Sequence, residues 1–208
     1  IDHAEYVRSM QELDAVTRRR LLDGDWYAVD QGNRAFDIDA LTGMREDIKM
    51  PIDTSGLANI YQRYQPGKRY GAGTDTSHGV GLDQAVTVVM DLDTGYVVAD
   101  ISSNTLSPAA LAEESVGLLA QYRHPLWAIE INDWGISTLN MAQQLRYPNL
   151  YRQSLKGAGD RVGWITNEQT RYTLWSELIS AVESRLIVIP SQAGLDQMFT
   201  VVRSPTHH

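Results

Sequence analysis

Apolar residues recur with two different periods along this chain, and the change between them predicts a mixed α/β domain. Short apolar runs predict strands at the following positions: 70–75, 85–91, 96–102, 125–132 and 149–153. Apolar residues at helical spacing predict helices over about 108–123, 136–146 and 170–185. A further apolar run, LIVI at 186–189, ends at Pro190.

The order of these elements predicts the sheet. Gly95 lies in the LDTG turn between the second and third strands, which makes the first three strands an antiparallel meander. The helices and strands that alternate afterwards place parallel strands in the same sheet. We therefore expect an α/β fold with a mixed five-stranded sheet and helices on both faces.

Residues 1–69 precede this pattern and are predicted to form a separate, less regular region. Apolar residues at helical spacing predict a first helix that ends near Gly24. Residues 28–69 are interrupted by Gly, Pro and Asp, and their apolar residues show little helical or strand periodicity. This indicates a connecting arm. We expect the main folded domain to occupy residues 70–208.

The amino-acid composition excludes some classes of protein but does not identify the function. The 208 residues contain no cysteine, which excludes disulfide scaffolds and thiolate metal sites. No apolar run approaches the roughly 18 residues that a membrane-spanning helix needs, so we expect neither membrane insertion nor secretion. The formal charge of −8 argues against a strong stand-alone nucleic-acid binder. It fits both a carboxylate site for divalent cations and an ordinary acidic surface.

Two acidic residues stand at the ends of apolar strands. Glu130 lies within AIEIN, where a carboxylate is costly to bury unless it is paired or binds a cation. Asp75 ends the first predicted strand, and ligand sites in open α/β sheets favour the carboxyl ends of neighbouring strands. If the two strands are parallel neighbours, these carboxylates would hold Mg²⁺ or Mn²⁺. The alternative is that Asp75, which precedes a Gly-rich loop, is a turn former.

Four segments carry a resemblance to a known family. They follow the family's order: LLDGDW (21–26), GTDTSHGVGLDQAV (73–86), AIEINDWG (128–135) and GWITNEQTRYTLWSEL (163–178). From about Leu13 to Arg203 the chain resembles the nuclease domain of the large terminase subunit of tailed bacteriophages, a member of the RNase H-like superfamily. The first segment resembles the stretch after the family's ATPase core, and the 208 residues contain no G-x-x-x-x-G-K-[ST] phosphate loop. The resemblance thus implies the nuclease part without the packaging motor.

The resemblance also implies an activity and its residues. Asp75 and Glu130 would be catalytic metal ligands, and Asp83 would be a further acid near a second metal ion. The implied activity is endonucleolytic cutting of concatemeric double-stranded DNA during packaging, by two-metal hydrolysis with Mg²⁺ or Mn²⁺. The implied partners are DNA, an ATPase motor domain, the portal and the small terminase subunit, in the cytoplasm of a bacterial host that carries the phage or prophage.

The chain departs from the family's pattern after the second metal motif. Asp133 and Trp134 stand where an Asn-His pair is usual. Asp133 is therefore either an outer-sphere ligand or a helix N-cap, and we favour the cap. Asn132, in the turn after the second ligand, is a further candidate for a group around the metal ions. His78 is either a phosphate contact or an ordinary solvated loop residue.

The third acid of the family's metal cluster is not found at its usual place. The resemblance puts this aspartate on a helix beyond the last strand, and Asp196 is expected to precede that strand. We therefore expect the nuclease domain to be truncated at its C-terminus before the third ligand; the alternative is that this subfamily of the nucleases does without that ligand. A truncated domain would hold at most one metal ion well and cut DNA weakly.

Basic residues offer a few candidate phosphate contacts. Lys156, Arg161 and Arg171 flank or follow the predicted glycine-bearing loop at 154–167. Because this loop is expected near the same rim as the acids, we expect these three residues to contact phosphate.

Two other classes of function stay open on the sequence. GTDTSHG followed by VTVVMDLDTG also resembles the phosphate loop and hairpin of actin-like ATPases and sugar kinases. The chain lacks the second phosphate loop and the adenosine-site motif that those enzymes need. A non-catalytic interaction module with the same fold is the third possibility.

Overall fold

The computed structural model describes residues 34–77, 83–155 and 159–202. Its helices are α1 Ile38–Met44, α2 Pro108–Gln121, α3 Gly135–Gln144, α4 Glu168–Glu183 and α5 Gln192–Met198, with a 3₁₀ turn at Arg45–Asp47. Its strands are β1 Asp53–Ser55, β2 Ala58–Ile60, β3 Tyr70–Asp75, β4 Ala85–Asp91, β5 Tyr96–Ser103, β6 Leu126–Ile129, β7 Arg152–Leu155 and β8 Gly159–Val162. The helix predicted before Gly24 lies outside the described residues.

The main sheet is mixed, in the order β1-β2-β5-β4-β3-β6. Strands β3, β4 and β5 form the antiparallel meander that the sequence predicts. Strand β6 pairs in parallel with β3, as expected for the strand that carries Glu130. Helices α2 and α3 cover one face of the sheet and α4 lies at the other, so the predicted α/β architecture is confirmed.

The main sheet has six named strands rather than the predicted five. The supposed connecting arm adds β1 and β2, whereas the predicted strand at 149–153 is not one of them and only forms an isolated bridge to β6 at Leu150. Strand β2 pairs with β5, with Ala58 opposite Ile101, and both of these side chains are buried. Strands β1 and β2 have three residues each, too few to show a period. The segment 34–69 is therefore integrated into the folded domain.

The predicted loop at 154–167 is also replaced in part by ordered structure. Strands β7 and β8 form a two-stranded antiparallel sheet of their own. Their sequences, RQSL and GDRV, are polar and lack apolar alternation. Backbone hydrogen bonds pair the two strands, and neither sequence has a period that would predict them.

The core is divided into two clusters. The larger one lies between the sheet and helices α2 and α3, and the smaller one joins α1 to the ends of α4 and α5. Helix α4 buries only Val182, whereas Leu174 and Leu178 are 46% and 37% exposed. Leu174 and Leu178 therefore border an open space instead of a packed core.

A chain of buried hydroxyl groups links the sheet to α2. Trp127 Nε1 donates to Thr74 Oγ1 at 2.8 Å, and Thr74 Oγ1 lies 2.7 Å from Thr87 Oγ1. Thr87 in turn lies 2.8 Å from Ser115 Oγ on α2. These hydroxyl groups therefore link β6, β3, β4 and α2 at Thr74, the residue that precedes Asp75.

None of the helices in the described part of the protein has the length and apolar character that a membrane-spanning helix needs.

Thr87→Val should destabilise the fold, because it deprives two buried hydroxyls of a partner while keeping the side-chain shape. We expect the free energy of unfolding in urea to fall by about 1–3 kcal/mol. Adding Ser115→Ala removes the Ser115 hydroxyl that Thr87→Val leaves without a hydrogen-bond partner. The double variant should therefore lose less stability than the sum of the losses in the two single variants. Additive losses would contradict a coupled hydroxyl chain.

Candidate metal centre

Asp75 and Glu130 meet at one edge of the sheet because their strands are parallel neighbours in matching register. Thr74 pairs with Ile129, and Glu130 N donates to Thr74 O at 3.0 Å. The next residue on β3 is Asp75, whose carboxyl group lies close enough to that of Glu130 for the two groups to interact. The sheet therefore brings two carboxylates into contact at the carboxyl ends of two adjacent strands.

The contact between the two acids is electrostatically costly. Desolvation raises the pKa of the Asp75 carboxyl above its ordinary value of 3.8, and the negative charge of Glu130 raises it further. Asp83 adds a smaller effect in the same direction. Two like charges at this distance favour a shared proton or a bound cation, since either one relieves the repulsion.

The backbone behind Glu130 is fixed by a close approach of α3. A Cβ atom at Gly135, the first residue of α3, would collide with the carbonyl oxygen of Glu130. Asn132 holds the same turn against the chain after β8, because its amide donates to Thr166 O at 2.7 Å and accepts from Thr166 N at 2.8 Å. Asn132 therefore positions the loop, with both ends of its amide in use.

Two cavities meet at Asp75. The acidic cavity, of about 520 Å³, is lined by Asp75, Thr76, Ser77, Asp83, Gln84, Val86 and Gln197. The α4 cavity, of about 760 Å³, is lined by Gly73, Thr74, Asp75, Val86, Val88, Glu130, Thr166, Arg171, Leu174, Trp175 and Leu178. Asp75 therefore lines both cavities, with Asp83 on the acidic cavity and Glu130 and Arg171 on the α4 cavity. Among the residues that it describes, no three His, Cys, Asp or Glu side chains are gathered closely enough to hold a metal ion.

The other predicted site residues fall elsewhere. The favoured N-cap role of Asp133 is wrong, since the cap position of α3 is Trp134 and Asp133 adopts a left-handed conformation with φ of 45°. Arg161 lies exposed on β8 and lines neither cavity. His78 and Lys156 lie outside the described residues.

The expected place of Asp196 before the last strand is also wrong. Asp196 lies on α5, after the LIVI run, in which Val188 exchanges backbone hydrogen bonds with Gly95 and Val97. Ser191 caps α5 by accepting from Gly194 N at 3.2 Å, and Leu195 is fully buried. This helix brings Gln197 into the acidic cavity. Gln197 is not predicted from the sequence, because the seven residues of α5 are too few to show a helical period.

Comparison with solved structures identifies the fold. No protein-family model and no curated protein matches the sequence. The large terminase nuclease of thermophilic phage G20c with bound magnesium superposes with a TM-score of 0.63 at 17% identity, over 86% of this chain and 92% of that one. The same nuclease with bound zinc gives a TM-score of 0.56 at 20% identity, over 78% and 88%. The Thermus phage P74-26 large terminase nuclease domain gives 0.55 at 22%, over 76% of each chain.

The chain has the terminase nuclease fold. The RNase H-like α/β class predicted from the four sequence segments is thereby confirmed. Identities of 17–22% establish a shared architecture, and the chemistry depends on the side chains at the edge of β3 and β6.

Gly135→Ala tests whether this fold needs the close approach of α3 to Glu130. The added methyl group collides with backbone, so we expect a loss of about 1–3 kcal/mol in the free energy of unfolding. Gly117→Ala is the matched control, because Gly117 lies within α2 with nothing near its missing Cβ. That substitution should instead stabilise the protein by about 0.5–1 kcal/mol. Equal effects of the two substitutions would contradict the role of Gly135.

Asp75→Asn should raise the melting temperature at pH 7 in a chelating buffer. A carboxyl whose pKa is raised on folding makes the folded state less stable as pH rises from 3.8 through the raised value. Removing this charge should increase the melting temperature by roughly 2–4 °C, the shift that about 1 kcal/mol produces in a domain of this size. The gain should disappear as the pH falls to 3.8.

Asp93→Asn provides a control of opposite sign. Hydrogen bonds from the Arg69 backbone and side chain lower the pKa of Asp93, which lies in the turn between β4 and β5. Its loss should therefore lower the melting temperature at pH 7. A melting temperature for Asp75→Asn at or below that of the wild type would contradict the repulsion at the metal centre.

Proposed function

We propose that this chain is the metal-dependent endonuclease domain of a phage DNA-packaging terminase, and that it cuts concatemeric double-stranded DNA by phosphodiester hydrolysis. The observation that supports this most strongly is the contact between Asp75 and Glu130 at adjacent strand ends. The same fold occurs in the large terminase nuclease of phage G20c, which has been solved with bound magnesium, cobalt and zinc.

The residues at the site fit a divalent cation. Carboxylate oxygens are the ligands that Mg²⁺ and Mn²⁺ prefer, and a cation between Asp75 and Glu130 would remove the repulsion between them. Asp75 and Glu130 would hold the first cation, and Asp83, which lines the acidic cavity together with Asp75, would help to hold a second. When bound, such cations lower the pKa of a water nucleophile and stabilise the attacking and leaving oxygens of an in-line displacement.

The remaining residues at the site position the substrate and the acids. Arg171 lies exposed on the first turns of α4 and shares the α4 cavity with Asp75 and Glu130, where its guanidinium can donate to a DNA phosphate. Gly135 and Asn132 fix the backbone on which Glu130 is mounted. The buried hydroxyl chain holds Thr74, next to Asp75, against β4 and β6.

The proposed biological setting follows from the same function. The domain would act with an ATPase motor domain, the portal and the small terminase subunit, in the cytoplasm of the bacterial host during packaging. Its own affinity for DNA would be weak and independent of sequence, because a chain with a charge of −8 offers few phosphate contacts.

Nuclease assays on supercoiled plasmid test this proposal. The purified chain should nick or linearise the plasmid with Mn²⁺ and should be inactive with a chelator. Asp75→Asn and Glu130→Gln should each reduce the rate on the order of 100-fold or more, since each removes a charge that holds the metal ion. Asp93→Asn, at the opposite end of the sheet, should cut at the wild-type rate.

Three outcomes would contradict the proposal. Wild-type cleavage by either Asp75→Asn or Glu130→Gln would remove these residues from the site. ATP hydrolysis without DNA cleavage would favour the actin-like or sugar-kinase class. A folded chain with neither activity would favour the non-catalytic module.

A further inference from the structure

The acidic cavity has one wall that is not acidic. Asp75 lies at the end of β3 and Asp83 shortly before β4, on the sheet side of the cavity. Opposite them, α5 contributes a single lining residue, Gln197. A neutral amide thus faces a group of carboxylates at the point where a cation between Asp83 and Asp75 would be enclosed.

The orientation of α5 is fixed by its packing rather than by the cavity. Leu195 is fully buried in the small core cluster with α1, and Phe199, directly after the helix, is buried there too. Ser191 caps the first turn. Because these contacts set the rotation of the helix, the side chain at position 197 is directed to the cavity whatever its chemistry.

The one carboxylate of α5 is held away from the cavity. Both oxygens of Asp196 accept from Gln192 Nε2 at 2.8 Å, and Asp196 Oδ1 lies 3.7 Å from Arg45 Nη2. Successive residues on a helix point about 100° apart, so that Asp196 and Gln197 face different surroundings. Asp196 is accordingly not among the residues that line the acidic cavity.

We propose that Gln197 limits the metal affinity of this site, so that the free protein holds one divalent cation tightly and a second only weakly. This inference rests on the proposed function. Asp75 and Glu130 give the first cation two charged ligands, whereas a cation beside Asp83 gains only a neutral amide from α5. Affinity for hard divalent cations depends on the number of charged oxygen ligands, so a carboxylate at position 197 should strengthen the second position.

Calorimetric titration of Mn²⁺ into the protein tests the inference. The wild type should bind one ion, and Gln197→Glu should bind a second ion or raise the overall affinity about tenfold. Gln197→Asp places the carboxylate one methylene closer to the helix, in case the glutamate carboxylate does not reach the cation. Melting in a chelator checks the fold, and there the added charge should lower the melting temperature of Gln197→Glu, with Mn²⁺ restoring it.

Asp196→Asn is the matched control on the same helix. It removes a neighbouring carboxylate that faces Arg45, and it should leave the Mn²⁺ titration unchanged. A clear loss of Mn²⁺ affinity in Asp196→Asn would overturn the inference, since Asp196 rather than Gln197 would then connect α5 to the metal ion. Unchanged affinity and stoichiometry in both Gln197→Glu and Gln197→Asp would overturn it as well.

Asp75→Asn separates this inference from the proposed function. If Asp75→Asn loses an ion that the wild type holds, while both Gln197 variants bind as the wild type does, only the inference about Gln197 fails. If the wild type and all variants bind no Mn²⁺, the inference and the proposed function fail together.

Discussion

The parallel pairing of β3 with β6 is the constraint on which the candidate site depends. Its register sets Thr74 opposite Ile129, and the next residue on each strand is an acid, Asp75 or Glu130. A shift by one residue would send one of the two side chains to the other face of the sheet. The buried contacts of Trp127 with Thr74 hold this register from the side of the core.

The same pairing creates an electrostatic repulsion between Asp75 and Glu130, and the favourable contacts in the rest of the fold must offset it. Two carboxylates in contact destabilise a protein unless a proton or a cation lies between them. The surrounding turn is correspondingly rigid, with Gly135 against the Glu130 carbonyl and Asn132 bonded twice to Thr166. Such a trade of stability for a preorganised charged site is typical of functional centres.

The sequence predicts the parts of this structure that have long, regular patterns. The meander and the β6 strand with its acid are visible as apolar runs. The parallel pairing of β3 with β6 enters the sequence argument only as a condition for the metal site, and the structure shows that the condition is met. Strands β1 and β2 and helix α5 are too short to show a period, so the contribution of residues 34–69 and the position of Gln197 emerge only from tertiary packing. The cap role predicted for Asp133 fails because its backbone is left-handed, which residue type alone does not determine.

A crystal structure of the protein soaked with Mn²⁺, with data collected at a wavelength where manganese scatters anomalously, would test the central claim most directly. The account predicts a strong anomalous peak between the carboxylates of Asp75 and Glu130, coordinated by oxygens of both. Anomalous density only at other surface acids, with the two carboxylates unchanged, would contradict it.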